Sequence, residues 1–259
     1  MFRLFRVEFL RVLALNLRYP TNFISSLLIN TFMFYGLFKG AQYLSGQQVF
    51  GDRLDTMVVG YAAWVLVTKA ITRTPIAIQE DADTGVLESL FLSAYRKDLL
   101  FLTRALAGAV IDVATVVAIV CLLVLFTGSG IVFSLWVMVP AATLVLSAIG
   151  LGLVMGAFAL QVKRVNAVLP SVQLLALGLM FTPFEELSRE WPQTLSHLYL
   201  GLPMVPSVVV LRELMVHNVL NPVTVSMAIA NAISYVFMGM LFFSLMTRRA
   251  RSKGLLGGH

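Results

Sequence analysis

Charged side chains are scarce in this chain: Asp, Glu, Lys and Arg make up 12% of its 259 residues. Soluble domains carry roughly 25%. Half the usual charge leaves too little to cover a globular surface, so the lipid bilayer becomes the natural solvent. Cysteine is nearly absent. The single Cys121 excludes an intrachain disulfide and reads as a small residue facing a helix or lipid. Histidine is also sparse, and His197, His217 and His259 are too scattered for a metal cluster. No G-x-x-x-x-G-K-[ST] stretch occurs, which excludes ATP binding in the P-loop manner. No G-x-S-x-G occurs, so Ser188, Ser196 and Ser207 near His197 gain no support as an intramembrane hydrolase site. Without repeats, low-complexity tracts or a composition break, residues 1–259 read as one domain. The amino end is not a secretory signal, because Arg3, Arg6, Glu8 and Arg11 interrupt the apolar core that one requires.

What is present is apolar. Hydrophobic residues make up 59% of the chain, and the mean hydropathy is +0.88. A helix needs about 20 mostly apolar residues to cross the hydrocarbon layer. Six stretches qualify: Thr21–Gln42, Leu54–Ala77, Leu99–Phe126, Ile131–Leu160, Val165–Phe184 and Val223–Met246. They are too long and uniform for barrel strands, so the predicted class is an all-α membrane protein with six spans. With the N-terminus inside, the inner face holds Arg3, Arg6, Arg11, Arg18, Arg73, Arg96, Lys97, Arg104, Lys163, Arg164, Arg248, Arg249, Arg251 and Lys253. The outer face holds only Arg53, Arg189 and Arg212, while Lys39 and Lys69 fall within spans. Basic residues collect on the cytoplasmic side of membrane proteins, so both termini are expected there. The same bias accounts for the net charge of +6 without any nucleic-acid partner.

Two segments outside the spans have their own character. Along residues 1–20, Phe2, Phe5, Phe9, Val12 and Leu13 share one helical face. Arg3, Arg11 and Arg18 take the other, with Arg6 and Glu8 at its edges. A one-sided apolar stripe ended by Pro20 reads as an amphipathic helix in the inner membrane interface; a cytoplasmic extension of the first span is the plainer alternative. Residues 183–222 mix apolar residues with Pro183, Pro192, Pro203, Pro206 and Pro222 and with Glu185, Glu186, Arg189, Glu190, Arg212 and Glu213. No window there is clean enough to span. The segment reads as two short helices on the outer face, able to dip inward only where protein shields the backbone.

Asp112 lies half-way along the third stretch. An intramembrane carboxylate is a candidate functional group, because an unpaired charge in lipid is costly. Lys69, or a hydroxyl such as Thr103 or Thr115, is its expected partner, in a functional or a purely structural contact. Between the second and third stretches lies the one densely charged island, AIQEDADTGVLESLFLSAYRKDL (Ala77–Leu99). Asp83 or Thr84 fits a helix cap, followed by Gly85 and by Glu88 in the first turn. Val86, Leu87, Leu90, Phe91 and Ala94 then share a face, and the helix stops near Tyr95–Asp98. Such a helix suits either a groove on a soluble partner or a plain solvated loop.

The island also carries a family likeness. EDADTGVLESL (Glu80–Leu90) resembles the E-x-x-x-x-G-T-L-E-x-L segment of type-2 ABC transporter permeases. Glu80, Gly85, Leu87, Glu88 and Leu90 match, and Val86 stands where Thr is usual. LPMVPSVVVLREL (Leu202–Leu214) is similar to the family's N-P-L-x-x-x-x-x-x-L-R stretch. Pro203, Leu211 and Arg212 match there, with Leu202 for Asn and Met204 for Leu. The order of basic amphipathic start, six spans, external hairpin and basic tail covers almost the whole chain.

That resemblance implies a role for each part. The helix carrying Phe2, Arg3, Phe5, Arg6, Phe9 and Arg11 becomes an interface helix against an ATPase. Residues 77–99 become the coupling-helix loop, with Gly85, Val86, Leu87, Leu90 and Phe91 seated in the ATPase and Glu80 and Glu88 orienting them. Residues 183–222, with Pro203, Arg212 and Glu213, become an external re-entrant hairpin. Two ATP-binding subunits, a second permease chain and membrane lipids are the implied partners. The second and fifth spans are expected nearest the dimer axis. ATP and magnesium belong to the ATPase, and this chain is implied to be a non-catalytic permease of the inner or plasma membrane. The apolar spans favour a hydrophobic or amphiphilic cargo such as a drug, natural product or lipid, with a lipid-linked glycan as the alternative. Two other classes remain open on the residues alone: a proton-coupled carrier using Asp112, and a membrane enzyme using the outer segment.

Overall fold

The computed structural model describes residues 2–45, 52–92, 96–131, 133–161, 165–184 and 198–252. Among them the secondary structure is entirely helical. Helix α1 (Phe2–Arg18) and α2 (Pro20–Ser45) meet at Tyr19. Proline at the first position of α2 fits, because that position has no intrahelical N–H bond to lose. Then come α3 (Asp52–Asp83), α4 (Val86–Leu92), α5 (Lys97–Thr127) and α6 (Met138–Ala159). Helices α7 (Leu169–Phe181), α8 (Val205–Val216) and α9 (Pro222–Ser252) complete the order, and short 3-10 turns precede α6, α7 and α8.

Among the described residues, five helices are long and apolar enough to cross a membrane: α2, α3, α5, α6 with its preceding turn, and α9. The fifth predicted stretch is shorter in the structure. Val165–Phe181 is a short apolar helix, interrupted where a 3-10 turn gives way to α7. Helix α3 is longer than its predicted stretch. It continues past Pro75 to Asp83, although that proline removes one intrahelical hydrogen bond.

Helix α3 is the centre of the bundle. Its spanning window is 72% buried, against 17% for α2 and 22% for α9. It packs on α5, α6, α7 and α8. Lipid tails are as apolar as leucine, so close packing rather than water exclusion must hold spans together, and small residues permit it. Helix α6 uses glycine on two sides. A Cβ at Gly152 would lie 2.9 Å from the Ala70 carbonyl of α3, and one at Gly150 would overlap the α9 backbone at Tyr235. Side-chain bonds add fixed points. Tyr61 Oη donates to Asn30 O at 2.7 Å, joining α3 to α2. Trp64 Nε1 donates to Gln173 O at 3.1 Å, joining α3 to α7.

Candidate functional site

The charged island divides between two helices. Glu80, Asp81 and Asp83 belong to the last turns of α3 rather than to a loop. Neither Asp83 nor Thr84 starts the next helix. Thr84 Oγ1 instead donates back to Glu80 O at 2.7 Å, and Gly85 N–H donates to Ala82 O at 3.1 Å. Those bonds satisfy carbonyls that a helix end leaves open. Gly85 has φ +71°, the left-handed region that glycine enters without Cβ strain. The chain turns there directly into α4, where Glu88 lies in the first turn.

Helix α4 has two unlike faces. The sequence grouped Val86, Leu87, Leu90, Phe91 and Ala94 as one apolar stripe. Leu87 and Phe91 are instead buried in the protein's own main core, and α4 packs on α3. Val86 points outward with Glu88 and Ser89, and Leu92 is 88% exposed. Leu90 is half-buried, Glu80 is exposed, and Ala94 lies outside the described residues. The outward surface is therefore mixed in polarity and backed by α3.

Beside α4 lies an ionic cluster that the sequence did not assemble. Arg104 of α5 donates through Nη1 to Asp81 at 2.6 Å and through Nε to Glu8 at 3.1 Å. Arg11 Nε reaches the other Glu8 oxygen at 2.8 Å. Glu8 was expected at the edge of the polar face of α1, yet it is buried against α5. Burial is tolerable because two guanidinium groups face one carboxylate. Phe5, Phe9, Val12 and Leu13 are half-buried, while Arg3, Arg6, Arg11 and Arg18 face outward. One arginine thus joins α1, the end of α3 and α5. At the start of α5, Asp98 accepts from Arg96 Nη2 at 2.7 Å. This hydrogen bond and the carboxylate charge push the Arg96 guanidinium further up, against a small opposing effect of burial.

Asp112 is buried half-way along α5, as expected, but its partner differs. Arg73 Nη2 donates to it at 2.5 Å. Lys69 contacts Ser26 Oγ of α2 at 3.5 Å, Thr103 donates to Leu99 O, and Thr115 donates to Ile111 O. Arg73 was assigned to the cytoplasmic face, yet it lies about 15 Å along α3 from Asp83. Gly108 makes the pair possible, because a Cβ there would overlap the Arg73 guanidinium.

At the opposite end of the bundle, α8 is buried along nearly its whole length. Arg212 is inside it and donates to the Met180 and Thr182 carbonyls at the C-terminus of α7. Its charge also complements the negative end of that helix dipole. Gly60 makes room, since a Cβ there would lie 3.0 Å from Met180 O. Glu213 accepts from Thr224 Oγ1 at 3.2 Å, and Pro203 lies just before Met204, whose φ is +67°. Ser207 is fully buried and donates to Thr143 at 2.9 Å, a structural contact. Ser188, Ser196, His197, Glu185, Glu186, Arg189, Glu190 and Pro192 lie outside the described residues.

Sequence reasoning missed Asn231. It accepts from Ser147 at 2.9 Å and donates to Leu200 O and Leu202 O at 3.2 and 3.0 Å. An amide in the middle of an apolar stretch was the available signal. It missed Asp55 too, which accepts from Gly130 N–H at 3.1 Å.

These features define a class, an all-helical membrane protein. Compared with protein-family models and with characterised proteins, the chain matches none.

Proposed function

We propose that the chain is the membrane-spanning subunit of an ATP-driven exporter. It works with a separate ATP-binding protein and a second permease chain. The observation that carries this reading is the outward face of α4, formed by Val86, Glu88, Ser89 and Leu92, on a helix that packs on α3 and buries Leu87 and Phe91 in the core. A short helix so backed transmits force applied to it instead of folding away. The Arg104 cluster adds a second link, from α1 to the same end of α3.

In this reading Val165–Phe181 is the sixth span, α8 is the inserted arm of an external hairpin, and both termini are cytoplasmic. The alignment of Glu80–Leu90 and Leu202–Leu214 with the permease motifs supports that arrangement. So does the size of one apolar cavity inside the bundle. The apolar cavity among α3, α5, α6 and α8 holds about 100 Å³. Pockets for drug-sized molecules run from roughly 300 Å³. A path for an amphiphilic cargo is therefore assigned to a boundary between two chains. The groove of about 410 Å³ bounded by α2, α3 and α7 is the candidate wall. A proton-coupled carrier gains less support, since Arg73 already balances Asp112.

The test is purification of the full-length chain from its native membrane. An ATP-hydrolysing protein is expected to accompany it. Cysteine in place of Leu92 should crosslink to that protein, and Glu88→Lys should weaken the complex. If the chain alone moves an amphiphile on a proton gradient without ATP, the reading fails.

A further inference from the structure

The inner ends of α5 and α9 enclose a second kind of site. A groove of about 310 Å³ is lined by Arg96 and Asp98 from the start of α5 and by Phe237, Met240, Leu241, Ser244, Leu245 and Arg248 from α9. Its polar groups gather at one end. Arg248 is exposed, and the Arg96 side chain is 70% exposed. Asp98 engages two of the N–H groups of Arg96, through Nε at 3.3 Å and Nη2 at 2.7 Å. A guanidinium carries five such donors. Asp98 therefore fixes the direction of Arg96 without exhausting it. With Arg248 included, the lining carries one net positive charge.

Apart from Ser244, the rest of the groove is apolar, and it is open. Phe237, Leu241 and Leu245 are spaced four residues apart on α9, so they form one stripe leading away from Arg248. Phe237 is 67% exposed, and Leu241 and Leu245 are each 49% exposed. From Phe237 to Arg248 the helix rises about 16 Å. One leaflet of hydrocarbon is about 15 Å deep. A cationic end joined to an apolar trough one leaflet long matches an anionic headgroup attached to an acyl chain, for which the phosphate of a membrane lipid is the ready source.

The geometry assigns this groove to an anionic glycerophospholipid. The headgroup phosphate sits between Arg96 and Arg248, and one acyl chain lies along Phe237, Leu241 and Leu245. In the orientation proposed above, it belongs to the inner leaflet. The assignment needs only a membrane-spanning chain and is independent of the exporter reading. A zwitterionic lipid fills the trough equally well but gains less from the net charge.

Native mass spectrometry of the full-length chain in detergent tests it, with dioleoylphosphatidylglycerol and dioleoylphosphatidylcholine as the probes. One phosphatidylglycerol should be retained in preference to phosphatidylcholine. Each surface arginine contributes about fivefold to anionic lipid attraction. Arg248→Gln should remove about that factor of preference, and Arg96→Gln a smaller one because Asp98 shares its charge. Arg18→Gln, at the exposed end of α1, should leave the preference unchanged. Circular dichroism checks that each variant keeps its helices. Equal retention of the two lipids overturns the assignment. So does an equal loss in Arg18→Gln, which signifies diffuse attraction, or displacement by millimolar inorganic phosphate, which signifies a simple anion site. No ATPase is present in this measurement, so its failure and that of the exporter reading are separate.

Discussion

Asp112 and Arg73 form a matched pair inside the bundle, and Gly108 is the notch that admits the guanidinium. Removing one partner of a buried pair leaves an uncompensated charge, at about 3–5 kcal/mol, whereas replacing both by apolar residues is often near neutral. Asp112→Leu alone should therefore destabilise the protein by about 3–5 kcal/mol in detergent unfolding. Arg73→Met with Asp112→Leu should recover most of that loss. The double variant also separates roles, because a carrier that protonates Asp112 stays inactive when stability is restored. An exporter driven elsewhere keeps its transport. Asp112 was legible in the sequence as a lone carboxylate in an apolar stretch. Arg73 was not, because the charge count grouped it with the cytoplasmic basic residues rather than with the groups at membrane depth. Once α3 is followed to Asp83, the same arginine falls well inside the helix. Glu8 was misplaced for a related reason: helical periodicity reports a face, but not the Arg104 waiting opposite it.

At the scale of elements, the division of α4 into a buried and an exposed face makes two opposite expectations. Phe91→Ala should open a cavity where the helix seats on the core, with a loss of about 3–5 kcal/mol. Leu92→Ala removes a side chain that is 88% exposed, so unfolding should be nearly unchanged while capture of the proposed ATPase falls. If both variants lower stability alike and neither alters capture, α4 is only a structural turn. Gly85→Ala should add about 1–2 kcal/mol of left-handed strain without touching either face. The existence and position of α4 were readable from the glycine and the apolar spacing. Its orientation was not, because six apolar residues within the nine positions 86–94 fit more than one way of seating a seven-residue helix. Hydropathy also overstated α7. It counts apolar residues, and it is blind to the 3-10 turn and the proline at the start of α7 that shorten the regular helix. At α8, prolines and charges suggested an outer-face segment able to dip inward where protein shields it. Arg212 is buried there because the open carbonyls of α7 supply its acceptors.

Across the whole molecule, burial is uneven in a way that points outward. Helix α3 is surrounded, whereas α7 presents Ser171, Leu174, Leu175, Gly178 and Phe181 along one uncovered stripe. Leu174 and Leu175 are 68% and 71% exposed, and a Cβ at Gly178 would meet nothing within 4 Å. Small and apolar residues on one face favour close helix contact in a bilayer. A two-fold interface brings equivalent positions together only near its axis. In a Cys121→Ser background, cysteines placed one at a time at Ser171, Leu174, Gly178 and Phe181 should give oxidative dimers. Substitution at Val172, Gln173 or Leu177 should give far fewer. Disulfides need Cα atoms within about 7 Å, so the yield should peak at one or two positions of the stripe. Uniformly absent crosslinks in native membranes would remove α7 from the proposed dimer axis. The groove among α2, α3 and α7 would then cease to be a candidate wall of the transport path.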